Sequence, residues 1–218
     1  MYNNSGIFML KFAQIKPLLM GSTLLALSAA ASAHMLWLAP AENNQTLAYY
    51  GEFSAGELEN QTGALKTFNT AKAQQGKKEL TAKVESDHLL YATTGDQDVR
   101  VSQDMLYEDT LINFLAKTGR QNSQTSMEME IAPVATNAKQ FTVIFDGKPL
   151  AGQEVVVFAP NRWSKTYYTD DKGQFSVETP WTGLYVIEAG KAIEQGGKYQ
   201  GKAYKSRYIV STLSFEIQ

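Results

Sequence analysis

The chain has 218 residues, a formal net charge of −2, no cysteine and a hydrophobic fraction of 44%. This composition suits a globular protein of one or two modest domains whose stability comes from a hydrophobic core, since disulfides are excluded. The near-even charge balance, without a basic face, argues against nucleic acid as a partner, and no run of like charges indicates a membrane-surface patch.

The first 33 residues have the pattern of a cleavable secretory signal peptide. Lys11 and Lys16 provide a basic start without acidic residues, Pro17–Ala30 is apolar, and Ala31–Ala33 reads Ala-Ser-Ala, a small-residue cleavage site. The apolar part is too short to span a bilayer, so we expect no membrane span in the mature chain. The pattern predicts export to the periplasm, with His34 as the first residue after cleavage.

Short β-segments separated by polar turns follow in the next hundred residues. Runs rich in β-branched and aromatic residues predict strands at Gln45–Tyr50, Leu65–Phe68, Lys78–Val84 and His88–Thr94. The apolar spacing in Asp104–Thr118 leaves a helical turn and an irregular crossover both open. A polar loop is expected at Lys117–Ser126. The strict alternation in Met127–Ile131 then predicts an exposed edge strand.

The strand pattern becomes clearer after a candidate linker at Pro133–Lys139. Further strands are predicted at Gln140–Phe145, Gln153–Ala159, Thr166–Thr169, Gln174–Val177, Gly183–Ala189 and Ser206–Ile217. Asp170–Gly173 is a tight turn with glycine where a positive φ is required. Strands at this spacing predict an all-β protein: a signal peptide at 1–33, an N-terminal β domain at 34–135 and a C-terminal β-sandwich domain at 136–218.

The second half resembles the transthyretin-like, carboxypeptidase-regulatory type of sandwich. The resemblance is carried by "FDGKPLAGQEVVVFAP" and "YYTDDKGQFSVETPWTGLYVIEA", within Phe141–Ala189. It implies two immunoglobulin-like or transthyretin-like sandwiches in the mature chain, and it implies no particular activity because such modules serve as spacers and as binding domains.

Over nearly the whole mature chain, the order "AHMLWLAP", "YYGEF" and "IEAGKAIEQGGKYQGKAYKSRYIVSTLSFEI" resembles the DUF4198 family of exported bacterial proteins. Some members are described as periplasmic components of nickel or cobalt uptake. His34 and Trp37 match the family's mature start, and Tyr50–Glu52 matches its Phe/Tyr-Gly-Glu. Two further family histidines, both plausible metal ligands, are replaced here by Lys191 and Tyr208.

The candidate metal ligands are His34, His88, Asp87 and Glu52. An N-terminal histidine offers its α-amine and ring Nδ1 as a chelate, and nitrogen-rich sites of this kind suit Cu(II) or Ni(II). His88 is the only other histidine, and Asp87 beside it can supply oxygen or orient a ring. The simpler alternatives are that His34 merely follows the cleavage site, that His88 starts a strand, and that Glu52 is a solvated strand end.

Aromatic residues in the second half allow two interpretations. In the first interpretation they form a carbohydrate-binding surface, and in the second they pack in the core and at the corners of the sandwich. The residues are Trp163, Tyr167, Tyr168, Trp181 and Tyr185.

The sequence predicts a protein that is not an enzyme, because G-x-S-x-G, H-E-x-x-H and cysteine nucleophiles are absent. We expect a periplasmic accessory protein that binds nickel, cobalt or copper for a transporter component of the envelope. The main alternative is a non-catalytic binding or structural module of the envelope without metal. A copper enzyme built on a histidine brace at the mature chain end is a third hypothesis.

Overall fold

The computed structural model describes residues 34–95 and 97–218. Apart from one short 3-10 helix at Ala64–Thr70, its regular elements are β-strands, which confirms the all-β prediction. The predicted signal peptide lies outside the described residues. Within the described ranges, no helix is long and apolar enough to cross a membrane.

The first half of the chain contains strands β1 (Met35–Ala41), β2 (Gln45–Glu52), β3 (Glu57–Leu58), β4 (Lys72–Gln75), β5 (Lys78–Leu80), β6 (Ala82–Val84), β7 (Leu89–Ala92), β8 (Val99–Tyr107) and β9 (Thr110–Thr118). The second half contains β10 (Met129–Pro133), β11 (Gln140–Phe145), β12 (Lys148–Pro149), β13 (Glu154–Phe158), β14 (Ser164–Tyr168), β15 (Gln174–Ser176), β16 (Gly183–Ile193), β17 (Gly197–Tyr199), β18 (Lys202–Tyr204) and β19 (Ser206–Ile217). Strands β17 and β18 form a separate hairpin.

One long sheet of eight strands organises the fold, in the order β14-β13-β16-β19-β9-β8-β4-β5. Its neighbours are antiparallel except for β19 and β9, which run parallel, with Ser206 opposite Thr110 and Ser214 opposite Thr118. The last strand of the chain therefore lies in the middle of the sheet, beside a strand from the first half.

Two smaller sheets cover opposite faces of the long sheet. The five-stranded sheet has the order β1-β2-β7-β6 with β3 beside β2, and the four-stranded sheet has β10-β11-β12 with β15 beside β11. Thr212 of β19 donates a hydrogen bond to the carbonyl of Leu36 in β1 (2.7 Å), while Ser211 donates to the carbonyl of Met129 in β10 (3.2 Å). Successive residues of a strand point to opposite faces, so the two smaller sheets lie on either side of the long one.

Each interface between sheets has its own aromatic core. On the five-stranded side, Tyr50 packs against Phe68 and Phe114, with ring centroids 4.3 and 5.3 Å apart. On the four-stranded side, Phe215 stacks on Tyr185 (5.6 Å) and on Phe141 (5.5 Å). Rings at these separations contribute more than their buried area alone.

The strand predicted at Leu65–Phe68 is wrong, because these residues lie in the 3-10 helix. Leu65 and Phe68 are both fully buried. Residues three apart lie one above the other on a 3-10 helix, so this helix turns both side chains into the core.

The segment Asp104–Thr118 is neither a helical turn nor a crossover. It holds the end of β8 and all of β9, which pair as a hairpin, and Glu108 in the turn has a φ of 52°. Residues 113–118 of β9 are all buried, so apolar residues there do not alternate with polar ones as they do in a half-exposed strand.

Two other strand predictions need correction. Lys78–Val84 is split into β5 of the long sheet and β6 of the five-stranded sheet. Strand β10 is an edge strand of its sheet, but every residue in it is buried, so the expected exposure of Met127–Ile131 is wrong for its strand portion.

Predictions in the second half agree more closely with the structure. Strand β19 has the predicted bounds, and Gly173 has a φ of 70° in the predicted turn. The candidate linker supplies the turn between β10 and β11, which pair in one sheet. The predicted domain boundary after residue 135 lies in this turn. The long sheet contains strands from both sides of that boundary. The division into two domains stays a prediction.

Candidate metal site

His34 lies directly before β1 and contacts an acidic side chain that the sequence analysis did not select. Its Nε2 is 3.1 Å from Oε1 of Glu59, and both side chains are about 30% exposed, at 29% and 31%. The imidazole also packs against the ring of Tyr50, with centroids 5.5 Å apart. The ring is thus placed between an aromatic wall and a carboxylate.

Glu59 is held in place by the chain around it. Its backbone N–H donates to the carbonyl of Tyr50 (2.8 Å), which continues the β2–β3 pairing by one residue. Its second carboxylate oxygen accepts a hydrogen bond from the N–H of Ala64 (3.3 Å), at the start of the 3-10 helix. A Cβ on Gly63 would lie 2.8 Å from that oxygen, so glycine leaves the space that the carboxylate occupies.

A side-chain turn at Asn60 fixes the loop that follows Glu59. Asn60 Oδ1 accepts hydrogen bonds from the N–H groups of Thr62 (2.9 Å) and Gly63 (3.1 Å). An asparagine that bonds to backbone groups two and three residues ahead mimics a backbone turn. The acid facing His34 is therefore carried by a loop with defined geometry.

Tyr50 forms the apolar wall of the site. It is buried, and burial, with a smaller contribution from the charge of Glu59, raises the pKa of its phenol to about 12. The phenol therefore stays neutral at physiological pH.

Glu52 lies at the same end of β2 as His34. Met35 pairs with Gly51 in the β1–β2 register. His34 precedes Met35 and Glu52 follows Gly51, so both lie just beyond this pair. Its carboxylate accepts a hydrogen bond from the hydroxyl of Ser54 (3.0 Å). In the β2–β3 pairing, Glu52 is opposite Glu57. Glu52 thus adds negative charge near His34, while Glu59 makes the contact with it.

His88 and Asp87 form a second pair on the other face of the same sheet. Nδ1 of His88 lies 2.8 Å from Oδ1 of Asp87, and the imidazole packs against Tyr49 at 5.5 Å. Burial and the charge of Asp87 raise the pKa of the Tyr49 phenol. Because Tyr49 and Tyr50 are consecutive in β2, the rings that pack on them lie on opposite faces of the sheet.

The four predicted ligands are consequently not brought into one cluster. His88 lies with Asp87, whereas His34 lies with Glu59. Among residues 34–95 and 97–218, no three or more histidine, aspartate or glutamate side chains form a group able to hold a metal ion. A metal site at His34 would therefore need a donor from outside the four predicted ligands.

Lys191 and Tyr208, which the family resemblance predicts at the places of two histidines, make contacts of other kinds. The ammonium of Lys191 lies over the ring of Phe145, 5.0 Å from its centroid. Tyr208 packs against the core under the five-stranded sheet, and its hydroxyl lies over Gly190, where a Cβ would collide with it. Tyr208 therefore occupies space that the glycine leaves.

A polar cleft lies apart from all of these residues. It has a volume of ≈ 640 Å³, runs over β4 and β8, and is lined in part by Lys72, Glu79, Arg100 and Glu128. None of the four predicted ligands lines it.

The family assignment rests on residues 42–192, which match the model of a family described as "Domain of unknown function (DUF4198)". The chain belongs to the DUF4198 family. The match covers the four-stranded sheet, the five-stranded sheet without β1 and most of the long sheet without β19. It includes Glu52, Glu59, Asp87 and His88, while His34 lies before it. No curated protein matches the DUF4198 chain.

Solved structures with some likeness to this DUF4198 protein are remote. One is described as "Biofilm associated protein - BSP domain", with 17% identity, a TM-score of 0.21, and coverage of 81% of this chain and 29% of that one. Another is "Bacteroides ovatus mixed-linkage glucan utilization locus (MLGUL) SGBP-B in complex with mixed-linkage heptasaccharide", with 11% identity, a TM-score of 0.20, and coverage of 81% and 45%. The chain thus spans less than half of either, and at these scores neither supports a function.

Proposed function

We propose that this DUF4198 protein is a periplasmic accessory protein that binds a divalent transition metal, Ni(II), Co(II) or Cu(II), through its mature N-terminal residue His34. The contact between His34 Nε2 and Glu59 is the observation that carries the proposal. The metal is cargo to be taken up or handled, and the protein acts without catalysis.

The contact with Glu59 suits a histidine that binds metal through its other ring nitrogen. The α-amine and Nδ1 of an N-terminal histidine can close a chelate on one ion, and such nitrogen donors suit Cu(II) and Ni(II). Metal-bound histidines typically donate their second ring N–H to a carboxylate, which fixes the tautomer and the ring orientation. Glu59 is placed for that role at Nε2.

A ligand at a chain end requires an ordered terminus, and β1 provides one. Residues Met35–Leu38 are all buried. The carbonyls of Leu36 and Leu38 accept hydrogen bonds from the hydroxyls of Thr212 and Ser214 in the long sheet. Termini are normally poorly ordered unless tied down in this way, so the residue before Met35 is held close to one position.

The charges around His34 favour a cation. Glu52, Glu57 and Glu59 all belong to the β2–β3 end of the five-stranded sheet, where the chain end lies. Carboxylates at a partly exposed site raise the local concentration of divalent cations and lower the cost of adding positive charge. They support delivery of the metal to the terminus as well as its retention there.

Two nitrogen donors from one residue leave coordination positions open. A transporter component of the envelope can fill these positions with its own ligands and remove the ion. An accessory protein needs this combination, because a closed cage would retain its cargo.

Calorimetric titration of the mature protein with NiCl₂, CoCl₂ or CuCl₂ tests the proposal. His34→Ala is expected to abolish the tight site because it removes the imidazole half of the chelate. Glu59→Gln is expected to weaken it about 10- to 100-fold, as loss of a supporting carboxylate does elsewhere. His88→Ala is the matched control and should bind as the parent does. Equal affinity of the parent and His34→Ala for all three metals would overturn the proposal.

The pH dependence provides a second check. A free α-amine has a pKa of about 8 and must lose its proton to bind, so affinity should rise as the pH increases from about 6.5 to 8. His34→Ala lacks the imidazole donor and should not show the same gain at this site.

The alternative is a non-catalytic binding or structural module of the envelope that holds no metal. It is favoured by the separation of the His34–Glu59 and His88–Asp87 pairs on opposite faces of the five-stranded sheet. It predicts that no metal raises the melting temperature of the mature protein and that His34→Ala leaves its biological role intact.

A further inference from the structure

Two tryptophans stand exposed next to each other at one end of the long sheet. Trp163 precedes β14 and Trp181 precedes β16; they are 54% and 42% exposed, and their ring centroids lie 6.1 Å apart with planes at 64°. Large aromatic side chains contribute most to stability when they are buried. Two adjacent aromatic side chains that are about half exposed to solvent form the kind of surface that marks a binding site.

The loop that carries Trp163 is tightly constrained. Ala159 accepts a hydrogen bond from the N–H of Arg162 (2.9 Å) and donates its own N–H to the carbonyl of Trp163 (2.8 Å). Arg162 has a φ of 70°, its guanidinium donates to the carbonyl of Phe53 (2.6 Å), and it stacks 4.1 Å from the centroid of the Phe53 ring. Strained backbone of this kind persists where the surroundings fix it.

The loop that carries Trp181 is anchored to the core. The backbone N–H of Trp181 donates to the hydroxyl of Tyr185 (3.0 Å). Tyr185 is 1% exposed and stacks on Phe215. Gly183 has a φ of 117°, and a Cβ there would lie 3.0 Å from the side chain of Pro160. The two loops are therefore packed against each other, and both indoles are held in place before any ligand arrives.

Charged side chains of both signs flank the pair. Trp163 continues the β13–β14 pairing by one residue, because its carbonyl accepts the N–H of Ala159. Lys165 follows it by two residues in β14, so the two side chains lie on the same side of the sheet. Glu178 is three residues before Trp181, and its carboxylate lies 3.7 Å from Nζ of Lys165. These side chains are 44% and 86% exposed, so both can bond to a ligand.

We propose that Trp163 and Trp181, with Lys165 and Glu178, form a binding site for a neutral glycan. The C–H faces of sugar rings can pack on the two indoles. Sugar hydroxyls both donate and accept hydrogen bonds, which suits an ammonium donor beside a carboxylate acceptor.

Size and charge favour a glycan over other occupants. A tryptophan side chain offers about 250 Å² at most, so the two half-exposed rings present far less than the roughly 800 Å² that each partner buries in a stable protein interface. Lys165 and Glu178 cancel in charge, so the site lacks the positive potential that an anionic membrane or a nucleic acid requires. The proposal is independent of metal binding.

The test uses the mature protein in EDTA with soluble β-glucan, α-glucan, xylan and mannan as probes. Affinity gel electrophoresis and calorimetry should detect at least one saturable interaction. Trp163→Ala and Trp181→Ala should each weaken it at least tenfold, and Lys165→Ala should weaken it less. Tyr107→Ala removes another exposed aromatic residue, 62% exposed, and should bind as the parent does.

Tryptophan fluorescence gives an independent readout. The chain has three tryptophans, and the third, Trp37, is buried. A fluorescence change on adding glycan should vanish in the double variant Trp163→Ala/Trp181→Ala, whose fold is checked by circular dichroism. Failure of all four probes to bind, binding unaffected in the double variant, or a dimer dissolved by Trp163→Ala would each overturn the proposal.

Discussion

Glu130 accepts two hydrogen bonds from the guanidinium of Arg100, at 3.0 and 2.7 Å, between the long sheet and the four-stranded sheet. Glu130 is fully buried, and Arg100 is 8% exposed. Lys117, also fully buried, lies 3.5 Å from Glu130 and 3.0 Å from Asp98. Two acids and two bases thus balance each other inside the protein, where an unpaired charge is costly.

This buried network also fixes the loop predicted at residues 117–126. Glu130 Oε2 accepts the N–H groups of Ser126 (2.9 Å) and Met127 (3.2 Å). The carboxylate of Asp98 accepts those of Gln121 (2.9 Å) and Asn122 (3.1 Å). The polar loop is consequently ordered by acids whose own charges are neutralised in the core.

Glu130→Gln is expected to lower the free energy of unfolding by about 3 to 5 kcal/mol, because it leaves Arg100 and Lys117 buried with only one acid. Urea denaturation at pH 7 measures the change. Glu128→Gln is a matched control, since Glu128 pairs with Arg207 and is 39% exposed. That change should cost about 1 kcal/mol or less. Equal effects of the two substitutions would contradict a special role for the buried network.

Glu188 should make stability depend on pH. Burial raises the pKa of its carboxyl from 4.5 to about 7. The folded protein therefore keeps a proton between about pH 4.5 and 7 that the unfolded chain loses, so stability contributed by the protonated carboxyl falls as the pH rises through that range. The loss is on the order of 3 kcal/mol above pH 7.

Glu188→Gln removes this titration while keeping a neutral side chain of similar size. The variant and the parent should have similar free energies of unfolding near pH 4.5, and the variant should be the more stable of the two at pH 8. Denaturant unfolding at both values measures the difference. A difference that is the same at pH 4.5 and pH 8 would show that Glu188 does not titrate as expected.

Gly119→Ala should destabilise the protein at the end of β9. Gly119 has a φ of 97°, and a Cβ there would collide with the carboxylate of Asp98. Gly147→Ala is the control, because its φ is 71° and open space surrounds its Cβ position. We expect about 1 kcal/mol for Gly147→Ala from backbone strain alone and clearly more for Gly119→Ala. Thermal unfolding of both variants gives the comparison.

Gly63→Ala should weaken metal binding without altering any proposed ligand. Its Cβ would take the space next to Glu59 Oε2 and push the carboxylate away from its present position. The affinity for the preferred metal should fall in the same direction as in Glu59→Gln. If calorimetry shows unchanged affinity in a folded Gly63→Ala variant, Glu59 does not support His34.

Much of the strand pattern follows from local sequence, and the exceptions have physical causes. Strand β19 was predictable because a long run of residues with high β-propensity has clear boundaries at both ends. Leu65 and Phe68 form a run too short to separate strand from helix by periodicity. In Met127–Ile131 the alternating glutamates are typical of a solvent face. Arg100 of β8 and Lys117 of β9 neutralise Glu130, and the local sequence does not show that these partners are near it.

The candidate site shows the same limit. His34 was found because the leader pattern ends before it, and Glu52 because it fits a family motif. Glu59 lies in a polar loop where any acid is normally solvated, and only the pairing of β3 with β2 brings it to His34. The short Asn60–Gly63 turn was the available local signal that this acid is held in place.

The position of β19 decides how the molecule can be assembled. Nine residues of β9 pair with the final strand, from Ser206 opposite Thr110 to Ser214 opposite Thr118. A chain synthesised from its N-terminus cannot complete the long sheet until residues 206–217 have emerged, and pairings between such distant segments form slowly. Until β19 has been synthesised, the β9 edge therefore lacks the strand that pairs with it in the folded protein.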